Sequence, residues 1–122
     1  VTAMQDLLQA HPDLKAVIAH NDDMAMGALQ VLTESGKKDV LVAGIDGLSE
    51  ALNAIQNGDQ YVATALNDPR YLGEVAIEAA RALAAGKSVP NFVDAGTQVV
   101  TKANVGEVKH DSTFGEYRPG AL

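Results

Sequence analysis

The sequence predicts an α/β domain: a parallel sheet of strand–helix–strand units with helices on both of its faces. Three observations carry this prediction. Apolar runs of strand length, Lys15-Ala16-Val17-Ile18-Ala19, Val40-Leu41-Val42-Ala43-Gly44-Ile45 and Val62-Ala63-Thr64-Ala65-Leu66, are each followed by a helical pattern. The middle run is nearly all apolar, as parallel strands covered on both faces are. Each run also closes on a polar punctuation: His20-Asn21-Asp22-Asp23, Asp46-Gly47 and Asn67-Asp68-Pro69. Open α/β sheets hold their ligands outside the carboxyl ends of the strands. Three polar strand ends in one chain therefore point to one shared pocket.

The elements follow in order. Residues 2–10 read as a short helix with Met4, Leu7 and Leu8 on one face, stopped by His11-Pro12-Asp13. Residues 15–20 read as a buried strand. Residues 22–35 read as a helix, with Met24, Ala25, Ala28, Leu29 and Leu32 at helical spacing and Met26 on its surface. Asp22 and Asp23 in its first turn suit the macrodipole, and Gly36 with Lys37 and Lys38 gives the stop. Residues 40–45 form the second strand, and residues 48–57 a helix through Leu48, Leu52 and Ile55. Residues 61–66 form the third strand. Asp68-Pro69 opens a long helix, because aspartate is a good N-cap and proline a good first helical residue. Its apolar stripe is Leu72, Val75, Ala76, Ala79 and Leu83, and Gly86 ends it. Residues 97–101 read as a last, shorter strand, and from Lys102 on the pattern is loop or extended tail.

Composition narrows the function. The chain has 122 residues, 47% of them hydrophobic, enough for one domain with a real core. Lys and Arg number 9 against 16 Asp and Glu, a net charge of -7. That balance argues against nucleic acid and against an anionic membrane surface, both of which need a basic face. No run approaches the roughly 18 apolar residues of a membrane span. Without cysteine there is neither a disulfide framework nor a thiolate metal site. Val1-Thr2-Ala3-Met4 leads straight into helical pattern without a signal peptide, as if the chain began in mid-structure.

Three residues are candidates for ligand binding. Asn21 offers two donors and an acceptor to the adjacent hydroxyls of a polyol, and serves equally well as the N-cap of the next helix. Asp46, an ionised carboxylate, accepts from two neighbouring hydroxyls at once; it also suits a turn before a permissive glycine. Asn67 taken alone is an ordinary loop asparagine. Together they put a sugar-compatible group at the end of each of three strands. His20 stands beside Asn21, as a ligand contact or as a strand-end histidine bonded to backbone, and Arg70 reads as a solvated arginine near the pocket mouth. His11, His20 and His110 lack metal spacing, the serines lack a nucleophile elbow, and no glycine-rich phosphate loop occurs. No acid–base pair is evident, so a small enzyme on a flavodoxin-like sheet is disfavoured, and no cofactor is expected.

At these residues the chain resembles periplasmic sugar-binding proteins of the ribose-binding type, the solute receptors of ATP-driven importers. The segments that carry the likeness are Ala19-His20-Asn21-Asp22-Asp23-Met24-Ala25-Met26-Gly27-Ala28-Leu29, Val42-Ala43-Gly44-Ile45-Asp46-Gly47 and Ala63-Thr64-Ala65-Leu66-Asn67-Asp68-Pro69. Ala85-Gly86-Lys87-Ser88-Val89-Pro90 and Val100-Thr101-Lys102-Ala103-Asn104-Val105 also fit; the tail from Gly106 to Leu122 does not. The resemblance implies a periplasmic receptor that closes two lobes over a monosaccharide or polyol and delivers it to a membrane permease. It covers the C-terminal portion of such a protein, so the chain is expected to be a fragment. Residues 1–66 would belong to the C-terminal sugar-binding lobe, 67–96 to the crossover and a helix of the N-terminal lobe, and 97–122 to a last strand and tail. Asn21 and Asp46 would hold sugar hydroxyls from one lobe and Asn67 from the crossover. The ribose receptor carries glutamine at the positions of both Asn67 and His20, which implies a different pentose, hexose or sugar alcohol. The aromatic residues that sandwich the sugar in this family are expected mainly outside this chain; Tyr61, Tyr71, Phe92, Phe114 and Tyr117 are those present. The alternative is the effector domain of a lactose-repressor-type transcription regulator, which shares the fold and is told apart by a DNA-binding helix-turn-helix.

Overall fold

The computed structural model describes residues 1–110 and 112–116. Its elements run α1 (Thr2–Ala10), β1 (Ala16–Ile18), α2 (Asp22–Glu34), β2 (Leu41–Asp46), α3 (Ser49–Asn57), β3 (Tyr61–Leu66), α4 (Pro69–Ala84) and β4 (Gln98–Thr101), followed by a 3-10 turn at Val105–Glu107. The periodicity thus located every helix and strand to within a few residues. The first strand is the shortest against expectation, although the amide of Ala19 still donates to the carbonyl of Ala43 at 2.9 Å.

The sheet order is β1-β2-β3-β4. The first three strands pair in parallel, as strand–helix–strand units require, and β4 pairs antiparallel to β3, with Thr64 opposite Val100. The strand order advances in one direction. Right-handed crossovers then carry α2 and α3 to the same face. Ala25, Val31 and Leu32 of α2 and Leu52 and Ile55 of α3 accordingly share one core with Val42, Leu66 and Val100 of the sheet. The alternate residues Ile18, Leu41, Ile45 and Val99 are exposed, so the expected helical cover of the second face is not made by the described residues.

Two expectations about packing are corrected. Met24 lies on the surface at 56% exposure, and Met26 packs against the core. The phase of a helix with many small residues is poorly marked by its methionines, because Ala25 and Ala28 set the buried face. In α4 only Val75 of the apolar stripe is buried, while Leu72 and Leu83 are exposed; α4 makes no extended packing with another element among the described residues.

Residues 112–116 of the tail make contacts that a loop pattern does not imply. Phe114 forms an antiparallel bridge with Leu48, and the amide of Gly115 donates to the carbonyl of Gly47 at 2.7 Å. Gly115 is buried where a Cβ would press on Leu52 and Val108. Residues 117–122, including Tyr117, lie outside the described residues.

Candidate functional site

The site is built from the carboxyl ends of β1, β2 and β3. At the end of β1, Asn21 caps α2: its Oδ1 accepts from the amide of Met24 at 2.9 Å. The capping reading of Asn21 therefore holds, and what it can still offer a ligand is its Nδ2 donor. His20 beside it is exposed.

At the end of β2, Asp46 adopts φ 116, a left-handed conformation no other described non-glycine residue takes. Such backbone strain persists only where the surroundings hold it, and it gathers at binding sites. Gly47 follows at φ 77, and a Cβ there would meet Leu66. Asp46 is half-buried and is not the cap of α3, whose N-cap position is Leu48 with no side-chain bond. Its carboxyl is held above the ordinary aspartate value, first by burial and then by the neighbouring Asp22 carboxylate, with a smaller push from Asp23. A side-chain hydrogen bond from Asn67 acts the other way.

At the end of β3, Asn67 is exposed and its amide donates to the carbonyl of Asp46 at 3.0 Å. Asp46 and Asn67 are thus joined by a backbone hydrogen bond, and the Asn67 side chain lies close enough to favour the charged form of the Asp46 carboxyl. Asp68 beside them is 2% exposed and caps α4, accepting from the amides of Arg70 at 2.9 Å and Tyr71 at 3.4 Å. Arg70 is not a simple solvated arginine: it approaches Asp68 at 3.6 Å and bonds Glu116 of the tail at 3.1 Å.

The residue that sequence reasoning passed over is Asp22. It is fully buried, and its carboxylate accepts from the amides of Gly47 and Leu48 at 2.8 Å each, from the Tyr61 hydroxyl at 2.6 Å and from the Thr64 hydroxyl at 2.8 Å. Burying a charge is costly unless it is so satisfied. Burial, and then the bond to Asp22, push the Tyr61 phenol far up, so it stays a donor. Gly44 is required here, since a Cβ would run into Asp22 Oδ1 and the Tyr61 hydroxyl. The signal was present in the sequence as adjacent aspartates, Asp22-Asp23, but nothing local distinguishes the buried one from the exposed one.

Among the described residues no group of three or more His, Asp or Glu could hold a metal ion, and no helix is long and apolar enough to cross a membrane.

Comparison with known proteins gives the family of the chain. A model of the periplasmic binding protein domain matches residues 1–88. The ribose import binding protein RbsB of Bacillus subtilis is 43% identical over 102 residues, covering 84% of this chain and 33% of the relative. A xylitol-binding protein of Mycolicibacterium smegmatis is 37% identical over 94 residues, covering 77% of this chain and 27% of the relative. A solved ABC transporter solute-binding protein from Mycobacterium smegmatis with bound glycerol superposes with a TM-score of 0.90 at 61% identity, covering 95% of this chain and 40% of that one. The chain spans about a third of the length of the curated relatives it matches, and those relatives are solute-binding proteins. The chain belongs to the periplasmic binding protein family.

Proposed function

We propose that this chain is part of a periplasmic solute receptor of an ATP-driven importer, binding a monosaccharide or polyol with Asp46, Asn67 and Asn21. The observation that carries the reading is the pairing of Asp46 with Asn67 at adjacent strand ends, with the Asp46 carboxyl spared from capping its own helix. A carboxylate accepts from vicinal hydroxyls, and hydrogen bonds to a charged group contribute about 1.5–3 kcal/mol each. The Asn67 and Asn21 amides supply donors to sugar oxygens. The ligands of the relatives, ribose, xylitol and glycerol, share this vicinal hydroxyl pattern. That the relatives are import-binding proteins supports this reading over the effector domain of a transcription regulator, and supports binding without catalysis.

In this reading residues 1–66 belong to one sugar-binding lobe, 67–96 to the crossover and a helix of the second lobe, and 97–122 return to a last strand and tail. The scarce packing of α4 against the sheet supports that division. Sugar docks on one lobe and the other rotates over it. Closure is favoured because the sugar binds the closed form better, and the closed form is what a membrane permease recognises.

The test is a thermal-shift screen of the intact protein against pentoses, hexoses and polyols. Stabilisation by one or two sugars, rising with concentration as for a ligand of the native state alone, is the expected result. No shift across the panel would overturn the reading.

A further inference from the structure

We infer that Asp22 is a positioning residue of the ligand site, a buried carboxylate that holds the turn after β2 so that Asp46 keeps its left-handed conformation and presents its own carboxylate outward. The inference rests on the reading of Asp46 as the sugar acceptor.

The turn after β2 lacks what usually steadies the start of a helix. Leu48 provides no side-chain cap for α3. Asp22 reaches across 25 and 26 residues of sequence to take the amides of Gly47 and Leu48, both on Oδ2 at 2.8 Å. Those are the two amides that follow Asp46, so the carboxylate grips the backbone on the far side of the strained residue. Tyr61 and Thr64 of β3 in turn grip Asp22, the first at 2.6 Å. The Thr64 hydroxyl also accepts from Gly47 at 3.2 Å. The strand that carries Asn67 therefore steadies, through Asp22, the turn that carries Asp46. A hydrogen bond of 2.6 Å from a hydroxyl to a carboxylate is of the charge-assisted kind, roughly twice as strong as a neutral one. Gly44 keeps the space beneath the turn open for the Asp22–Tyr61 pair.

The same proximity acts electrostatically. The titratable groups facing Asp46 are Asp22 and Asp23 from α2, with Tyr61 of β3 beyond them. After burial, the Asp22 charge is the main cause that raises the Asp46 carboxyl. A sugar that needs ionised Asp46 is then released on acidification at a higher pH than an ordinary aspartate would allow. Removing the Asp22 charge moves that limit to lower pH.

Asp22→Asn tests this, because an amide whose oxygen faces the two backbone N–H groups leaves its NH2 to donate to Tyr61 and Thr64. The readouts, made on the intact protein without sugar, are the NMR titration of the Asp46 carboxyl and the hydrogen exchange of the Gly47 and Leu48 amides. The Asp46 signal is identified by its loss in Asp46→Asn. The expected result is a lower Asp46 titration midpoint and faster exchange of those two amides than of the Leu32 amide. An unmoved midpoint overturns the inference, whatever the variant's stability, and leaves Asp22 a residue of the fold alone. If Asp22→Asn does not fold, Tyr61→Phe decides: faster Gly47 exchange supports the inference and unchanged exchange overturns it. With the sugar identified, Asp22→Asn weakens binding about tenfold at neutral pH and shifts its acid limit downward. Because the titration needs no ligand, a failed sugar screen would sink the proposed function and leave this test standing.

Discussion

Asp46 and Asp68 each close a strand and face the start of a helix, yet they are put to opposite uses. Asp68 turns inward, 2% exposed, and spends its carboxylate on the amides of Arg70 and Tyr71. Asp46 caps nothing, and the amides of its turn go elsewhere: Gly47 and Leu48 to Asp22, and Ser49 to the carbonyl of Thr113 in the tail. The first amides of a helix must find acceptors. The amides of the turn after β2 find their acceptors without drawing on the Asp46 carboxylate. At β3 the local aspartate caps the helix and Asn67 takes no part in the cap; at β2 the turn amides of Gly47 and Leu48 are taken from a distance by Asp22, and the Asp46 carboxylate takes no part in either.

The contrast yields graded expectations. Asp22→Ala strips the acceptors from two turn amides and a buried phenol. Each buried donor left unpaired costs about 1–3 kcal/mol, so the variant should lose about 3–5 kcal/mol in urea unfolding. A loss within experimental error would mean that water replaces the carboxylate without cost. Asp46→Ala should leave stability nearly unchanged and weaken sugar binding by about 2–4 kcal/mol in calorimetry. An unchanged affinity would remove Asp46 from the site and make the two aspartates alike. Asp68→Ala removes a cap and should cost about 1 kcal/mol of stability. Its sugar affinity should barely change; a drop as large as that of Asp46→Ala would place Asp68 in the binding set.

The candidate site was partly legible in the sequence. Asp46 and Asn67 stand out because polar residues at the ends of apolar runs are conspicuous, and a backbone hydrogen bond links them. Asn21 stands out by the same rule, and its cap bond to Met24 shows that a polar strand end is also what a helix start calls for. Asp22 was assigned only a favourable place near a helix start. Its partners lie at Gly47, Leu48, Tyr61 and Thr64, and no local pattern announces them. The tail was unreadable for a related reason. Its order comes from Gly115 fitting against Leu52 and Val108 and from Glu116 reaching Arg70, contacts made far along the chain.

The amino-acid sequence by itself determined the succession of strands and helices, the three polar strand ends and the acidic net charge. These are local or additive properties: side-chain period, the conformational limits of proline and glycine, and summed charge. Only the tertiary structure decided that β4 runs antiparallel, that α2 and α3 share one face, and that Asp22 is buried while Asp23 is not. Those outcomes depend on which distant groups meet. A carboxylate enters the interior only when enough donors converge on it, and four donors drawn from β3 and the turn after β2 converge on Asp22.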